Sequence, residues 1–265
     1  RITTNYKNGR LILHNVTNFA DMQTHDGNWL REMTVGWKVN DQMTVSAGRL
    51  LLSGGMSAAG QSNLETIVYP ASYPFNRYAY GVQGVWSSER WTIMGDVSGK
   101  SGLSFLDEAS FDAVEASTFI QRKFQSGSAI NLTAQLSQDF RWYGLGGTCP
   151  LNENKTVKLR GELYYADNHN NQTSNMTGGY GLVTWQATKW LELCGQVDHR
   201  QYLAKDWQDQ TETRKSSGGG LTTFLVGASA KVGENVTLRS NIGFPTDWNG
   251  SGFDPTFRGL VQVQF

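Results

Sequence analysis

The feature that most constrains this chain is a two-residue rhythm of apolar and polar side chains that recurs along nearly all of it. Successive residues of an extended strand point to opposite faces, so strict alternation specifies a strand whose faces meet different surroundings. Between Ala129 and Gln138, Ile130, Leu132, Ala134 and Leu136 alternate with Asn131, Thr133, Gln135 and Ser137. Val157, Leu159, Gly161, Leu163 and Tyr165 alternate with Lys158, Arg160, Glu162 and Tyr164. Val236, Leu238, Ile242 and Phe244 alternate with Thr237, Arg239, Asn241 and Gly243. Helical periodicity is sustained nowhere, and no run approaches the roughly 18 consecutive apolar residues of a transmembrane helix. Any membrane crossing must therefore use strands.

Tight polar turns separate the runs at Asn40-Asp41-Gln42, Ser87-Ser88-Glu89, Gln125-Ser126-Gly127-Ser128, Asn152-Glu153-Asn154-Lys155, Thr188-Lys189 and Gly233-Glu234-Asn235. They alternate with mostly longer connections near 21–28, 54–75, 100–111, 167–177, 204–217 and 247–253, and a brief one near Asp139. The spacing predicts about fourteen antiparallel strands, near 8–20, 29–39, 43–53, 76–86, 90–99, 112–124, 128–138, 141–151, 155–166, 178–187, 190–203, 218–232, 236–246 and 255–265. Ile2 to Tyr6 either lengthens the first strand or forms an N-terminal arm. No linker or composition shift divides the 265 residues, so a single domain, 1–265, is expected. A start at Arg1 reads as a trimmed product, with the C-terminal part of a longer precursor as one reading.

Periodicity alone does not say which face is outside. Predicted strands of about ten to twelve residues suit a tilted bilayer crossing, which takes about 9–11, better than soluble strands of about five or six. A ring of this many strands is too wide for its small apolar side chains to fill, which places the apolar face outward in lipid. Charged residues make up 17% of the chain against about 25% in ordinary soluble domains, with 30 glycines and 9 tryptophans. Trp37, Trp86, Trp91, Phe124 and Trp190 lie beside short turns, and Trp29, Tyr78, Tyr165, Phe244 and Phe257 near the opposite strand ends, as two interfacial girdles would. Lipid cannot satisfy an open sheet edge, so the strands must close. An even count with both termini on the short-turn side fits closure. The 23 basic and 23 acidic residues cancel, leaving no basic footprint for nucleic acid.

The final run, Phe257-Arg258-Gly259-Leu260-Val261-Gln262-Val263-Gln264-Phe265, sets Phe257, Val261, Val263 and Phe265 on one face. With the architecture, it resembles the outer-membrane β-barrel family of Gram-negative bacteria and is porin-like. Gly259 departs by one position from the common form of the terminal motif. The resemblance implies a closed transmembrane barrel with short periplasmic turns and longer extracellular loops. Val261, Val263 and Phe265 then form an assembly signal read by the barrel-assembly machinery. The implied setting is the bacterial outer membrane, with lipid and small hydrophilic solutes as partners, room for a homo-oligomer, and no cofactor.

With the apolar face outward, the alternate residues line a pore. On the N-terminal side these are Glu32, Lys38, Arg77, Asp96, Glu115 and Lys123, with Gln83 among them. Further on they are Lys158, Arg160, Glu162, Arg200 and Arg239, with Glu192, Asp198 and Arg258. The signs are too balanced to assign ion preference. The 54–75 connection carries Leu64, Glu65, Tyr69 and Tyr73 within an apolar load unusual for a wet loop. By analogy with porins it folds inward as a constriction; packing on the rim or on a neighbouring protomer are the alternatives.

Catalysis needs a base and its orienter on one face. Asp198-His199 fails, since neighbours in a strand point oppositely. Asp167-Asn168-His169 places a D-x-H pair on one face but lacks a second paired-Asp motif, so no enzyme is expected. Cys149 and Cys194 lack metal or redox spacing and read as unpaired thiols, and no metal-ligand cluster appears. Gly144-Leu145-Gly146-Gly147 and Gly218-Gly219-Gly220 are not phosphate loops. The expected function is passive diffusion of small hydrophilic solutes or ions. A membrane anchor, tether or assembly barrel is the alternative, and a soluble all-β binding protein the second.

Overall fold

The computed structural model describes residues 2–17, 30–53, 78–99, 114–138, 140–168, 175–203, 220–233, 236–247 and 256–263. Among them run fifteen β-strands. They are β1 (Ile2–Asn8), β2 (Leu11–Thr17), β3 (Leu30–Lys38), β4 (Met43–Leu51), β5 (Tyr78–Ser87), β6 (Trp91–Gly99), β7 (Val114–Lys123) and β8 (Ala129–Leu136). There follow β9 (Phe140–Pro150), β10 (Val157–Asn168), β11 (Met176–Gln186), β12 (Leu191–Tyr202), β13 (Gly220–Lys231), β14 (Val236–Asp247) and β15 (Thr256–Val263). The strands lie in the sheet in chain order, an all-β antiparallel meander. No helix among the described residues is long and apolar enough to cross a membrane.

The largest departure from expectation is at the start. Instead of one strand over 8–20, Gly9 takes a left-handed conformation, φ 57°, and folds β1 back on β2 with Asn8 opposite Leu11. Ile2 stands opposite Thr17, so β1 starts at the long-connection end and not, as expected of both termini, at the short-turn end.

The contacts group into two compact units. The first holds β1–β7, most of β8 and the start of β9. In it β1 through β7 pair consecutively, for example Gln83 opposite Asp96 and Asp96 opposite Ser117. At Gly48, φ 133°, an added Cβ would run into the Met33 carbonyl oxygen, so only glycine lets β4 come this close to β3. The second unit runs from Gly144 to the C-terminus together with the turn before β8, and pairs β10 through β15 consecutively.

The short turns are fixed by their own polar side chains. Asn40 Oδ1 accepts the N–H groups of Gln42 and Met43, each at 2.9 Å, and Lys38 Nζ donates to Asp41 at 2.7 Å. Asn152 Oδ1 accepts from Val157 N at 3.0 Å, and Thr188 Oγ1 from Trp190 N and Leu191 N at 3.2 and 3.0 Å. Such bonds satisfy backbone groups that the ladder leaves at each reversal.

Candidate functional site: the polar face and the exit of β4

Burial separates the two faces cleanly, and in the inverse sense to a soluble core. On β8 Leu132 is 55% exposed and Thr133 4%; on β10 Leu163 is 68% exposed and Glu162 2%. Met33, Val35, Trp37, Val82, Val97, Leu145, Val197 and Val226 are likewise exposed, whereas Asp96, Glu115, Gln121, Asn131, Gln196, Asp198, Arg239 and Asn241 are buried. Water disfavours apolar surface at this scale, so the exposed face matches a hydrocarbon environment. Trp37, Trp91, Phe124 and Trp190 are exposed beside the short turns, and Arg122 lies over the Trp91 ring, 5.5 Å from its centroid.

The candidate lining residues fall as follows. Asp96, Glu115, Glu162 and Arg239 are buried; Glu32, Lys38 and Arg160 are half-buried; Lys123 and Lys158 are exposed near strand ends. Lys38 is held by Asp41. Arg77, Leu64, Glu65, Tyr69, Tyr73 and Phe265 lie outside the described residues, as does His169. Arg200, Val261 and Val263 are described by backbone register only: Val261 stands opposite Leu238 and Val263 opposite Val236. Asp198 is buried on the polar face, while His199 Nδ1 meets Thr222 Oγ1 at 2.8 Å on the other. Cys149 and Cys194 are not joined by a disulfide.

In the first unit, polar side chains are linked across strands. Gln135 Nε2 donates to Glu115 Oε2 at 3.3 Å. His14 on β2 joins Asn5 Oδ1 on β1, at 2.6 Å, to Glu32 Oε2 on β3, at 3.3 Å. The densest node gathers at Ser53, just beyond the end of β4. Its N–H donates to Asp96 Oδ2 at 2.8 Å and to Ser117 Oγ at 3.0 Å, and its hydroxyl to Asp96 Oδ2 at 2.5 Å. Ser117 donates to Asp96 Oδ1 at 2.6 Å, and Gln83 Nε2 to Ser53 Oγ at 3.3 Å. Asp96 is on β6 and Ser117 on β7, whereas the sheet neighbour of β4 is β5. The chain leaving β4 thus crosses the polar face of β5 and reaches β6 and β7, pinned to a buried carboxylate.

Apart from Tyr164, which alternation places on the polar side of its strand, the large apolar groups on the polar face were not expected. Phe119, Trp142, Tyr164, Tyr180, Leu182 and Leu225 are buried on strands whose neighbouring residues are outward. A bulky residue standing at a polar-parity position was the signal available.

No protein-family model matches the chain, and no curated protein matches it by sequence. Solved structures do. A loop L8 deletion mutant of OmpT, an outer membrane protein of Vibrio cholerae, matches with a TM-score of 0.69 at 12% identity, over 98% of this chain and 87% of that one. A trimer form of OmpT gives a TM-score of 0.57 at 11% identity, over 99% and 89%. The outer membrane channel DcaP of Acinetobacter baumannii gives 0.59 at 12% identity, over 99% and 83%. These likenesses show the fold, that of a porin-like outer-membrane β-barrel.

Proposed function

We propose that the chain forms a porin-like channel in a bacterial outer membrane, through which small hydrophilic solutes or ions diffuse passively. The observation that carries this reading is the inverted burial: apolar side chains outward, ionisable and amide side chains on the opposite face of the same strands. A lipid-spanning sheet must present such faces, and a polar inner wall supports water and solute passage. Glu32, Lys38, Asp96, Glu115, Lys123, Lys158, Arg160, Glu162, Arg200 and Arg239, with Arg77, are the proposed wall. No cofactor or catalytic step is involved.

The 54–75 segment is proposed as the constriction, and the support is the path of the chain into it. Ser53, the last described residue before the segment, is bonded across the polar face to Asp96 and Ser117, which supports an inward constriction over packing on the rim. Val261, Val263 and Phe265 are proposed as the assembly signal, and the OmpT trimer form motivates testing for a homo-oligomer. Purified folded protein in planar bilayers tests the function: stepwise conductance increments are expected. Clean folded protein without conductance would overturn the channel reading in favour of an anchor or assembly barrel.

A further inference from the structure

At the short turn between β5 and β6, cations gather around a tryptophan. Trp91 opens β6 opposite Arg122 near the end of β7, and Arg122 lies over the Trp91 ring, 5.5 Å from its centroid. Lys123 N donates to the Arg90 carbonyl at 2.7 Å, which brings two more basic residues beside that pair. Arg90, Arg122 and Lys123 are all exposed, and Glu89 is the one carboxylate in the turn Ser87–Arg90. Ser88 ties the turn down: its Oγ accepts Trp91 N–H at 3.1 Å and its N–H donates to the Trp91 carbonyl at 2.8 Å. From Trp91 and Arg122 the outward face continues away from the turn in rungs. The next holds Trp86, Ile93 and Ile120, then come Gly84, Gly95 and Thr118, and then Val82, Val97 and Ala116. Ile93, Val82 and Val97 stand out at 39%, 51% and 57% exposure. Between them, a Cβ added at Gly84 would meet nothing within 4 Å, and one at Gly95 only the Ser117 carbonyl oxygen at 3.8 Å. The two adjacent glycines thus leave a dip one side chain deep in the apolar face. At its end the Thr118 hydroxyl donates to the Met94 carbonyl at 3.0 Å, so its proton is already spent.

We infer that this strip binds one molecule of an anionic glycerophospholipid, with its phosphate at Arg122 and Trp91 and an acyl chain in the glycine dip; the inference rests on the outward face meeting lipid, not on conduction. A guanidinium can donate two parallel N–H bonds to phosphate oxygens, and tryptophan favours the headgroup level of a bilayer. Arg90 and Lys123 add charge at the same rim. Three cations against the single carboxylate of Glu89 favour a headgroup of net negative charge over a zwitterionic one. The dip also lies at the right depth. Thr118 is four residues from Arg122 along β7, a rise of about 13 Å. At the tilt of roughly 40° common to barrel strands, that is about 10 Å of membrane depth. The headgroup layer is about 5–7 Å thick, so a phosphate held at Arg122 sets the dip beside the first carbons of the acyl chain. A chain lying there touches Ile93 and Val97 at its sides as well as the backbone beneath, more contact than a level surface provides.

The test is native mass spectrometry of the folded protein released from detergent micelles, titrated with dioleoylphosphatidylglycerol. Dioleoylphosphatidylcholine and inorganic phosphate serve as comparison probes. Wild type should retain one molecule of phosphatidylglycerol in preference to either. Arg122→Gln should raise its dissociation constant about tenfold. Gly84→Leu/Gly95→Leu fills the dip without touching the cations and should raise it as well; Gly84→Leu alone serves if the pair fails to fold. Lys189→Gln removes an exposed cation from the turn between β11 and β12 and should leave the constant unchanged. No retained lipid, a constant unchanged by Arg122→Gln, or one raised equally by Lys189→Gln overturns the site. Weakening by Arg122→Gln with none from the filled dip, or retention of inorganic phosphate in place of lipid, overturns the acyl seat. Equal retention of phosphatidylcholine overturns the anionic headgroup. Conductance plays no part in the readout, so failure of the channel reading and failure of the lipid site are separate results.

Discussion

Leu132 and Thr133 are consecutive residues on β8, yet one is exposed and the other buried, which makes side-chain direction testable one position at a time. Leu132→Arg or Leu238→Arg should cost about 2–4 kcal/mol if the residue faces the bilayer midplane. Gln135→Arg should be tolerated, because its neighbour on the polar face is Glu115, 3.3 Å away. Urea unfolding from lipid vesicles measures both, and a glutamine substitution worse than the leucine ones would reverse the phase of β8. At the turn after β3, the hydrogen bond and charge of Lys38 hold Asp41 below the usual carboxylate range. A lowered carboxylate contributes stability present above its unfolded pKa and lost as pH falls through the folded one. Its NMR titration midpoint should accordingly lie below about 3.9 and rise in Lys38→Met.

The exit of β4 is a property of an element, set by bonds that skip a strand. Asp96 receives Ser53 N–H, Ser53 hydroxyl and Ser117 hydroxyl, so Asp96→Ala removes the acceptor of all three while Asp96→Asn keeps one carbonyl oxygen. If the 54–75 segment narrows the channel, deleting its middle should raise single-channel conductance. Asp96→Ala should make the current noisier, with Asp96→Asn in between. Unchanged conductance after the deletion would place the segment at the rim or in a subunit contact. At the other end, deleting Phe265 should lower membrane insertion in cells, measured as outer-membrane protein level.

The elements legible in the sequence were those with clean alternation. β8, β10 and β14 lie within a few residues of the expected 128–138, 155–166 and 236–246, with the expected faces. The β1–β2 hairpin was hidden because Thr3, Thr4, Asn5, Lys7 and Asn8 are polar, with only Tyr6 among them, so no period marks the reversal at Gly9. The Ser53–Asp96–Ser117 node was not legible, since its partners are 43 and 64 residues away and meet only across strands.

On the scale of the whole molecule, the polar face mixes both signs: Asp96, Glu115 and Glu32 in the first unit, Lys158, Arg160, Arg239, Glu162 and Asp198 in the second. Charges separated by more than about 8–10 Å are largely screened at physiological salt, so the proposed channel, with a wall of mixed sign, should select ions weakly. Neutralising Lys158 and Arg160 together should shift the reversal potential towards cations in a salt gradient. Strong anion selectivity in the wild type would mean that basic groups converge.

In the proposed channel the polar face of these strands is the wall of a water-filled path and the apolar face meets lipid. This assignment is tested by single cysteines at Lys158 and Leu159, both exposed but on opposite faces of β10, placed in a protein whose Cys149 and Cys194 are replaced by serine, with a charged water-soluble thiol reagent added during bilayer recording. Lys158→Cys should react and its conductance should step down, while Leu159→Cys, shielded by lipid, should leave the current unchanged. Block at position 159 with none at 158 would contradict the assignment of the faces and the channel built on it.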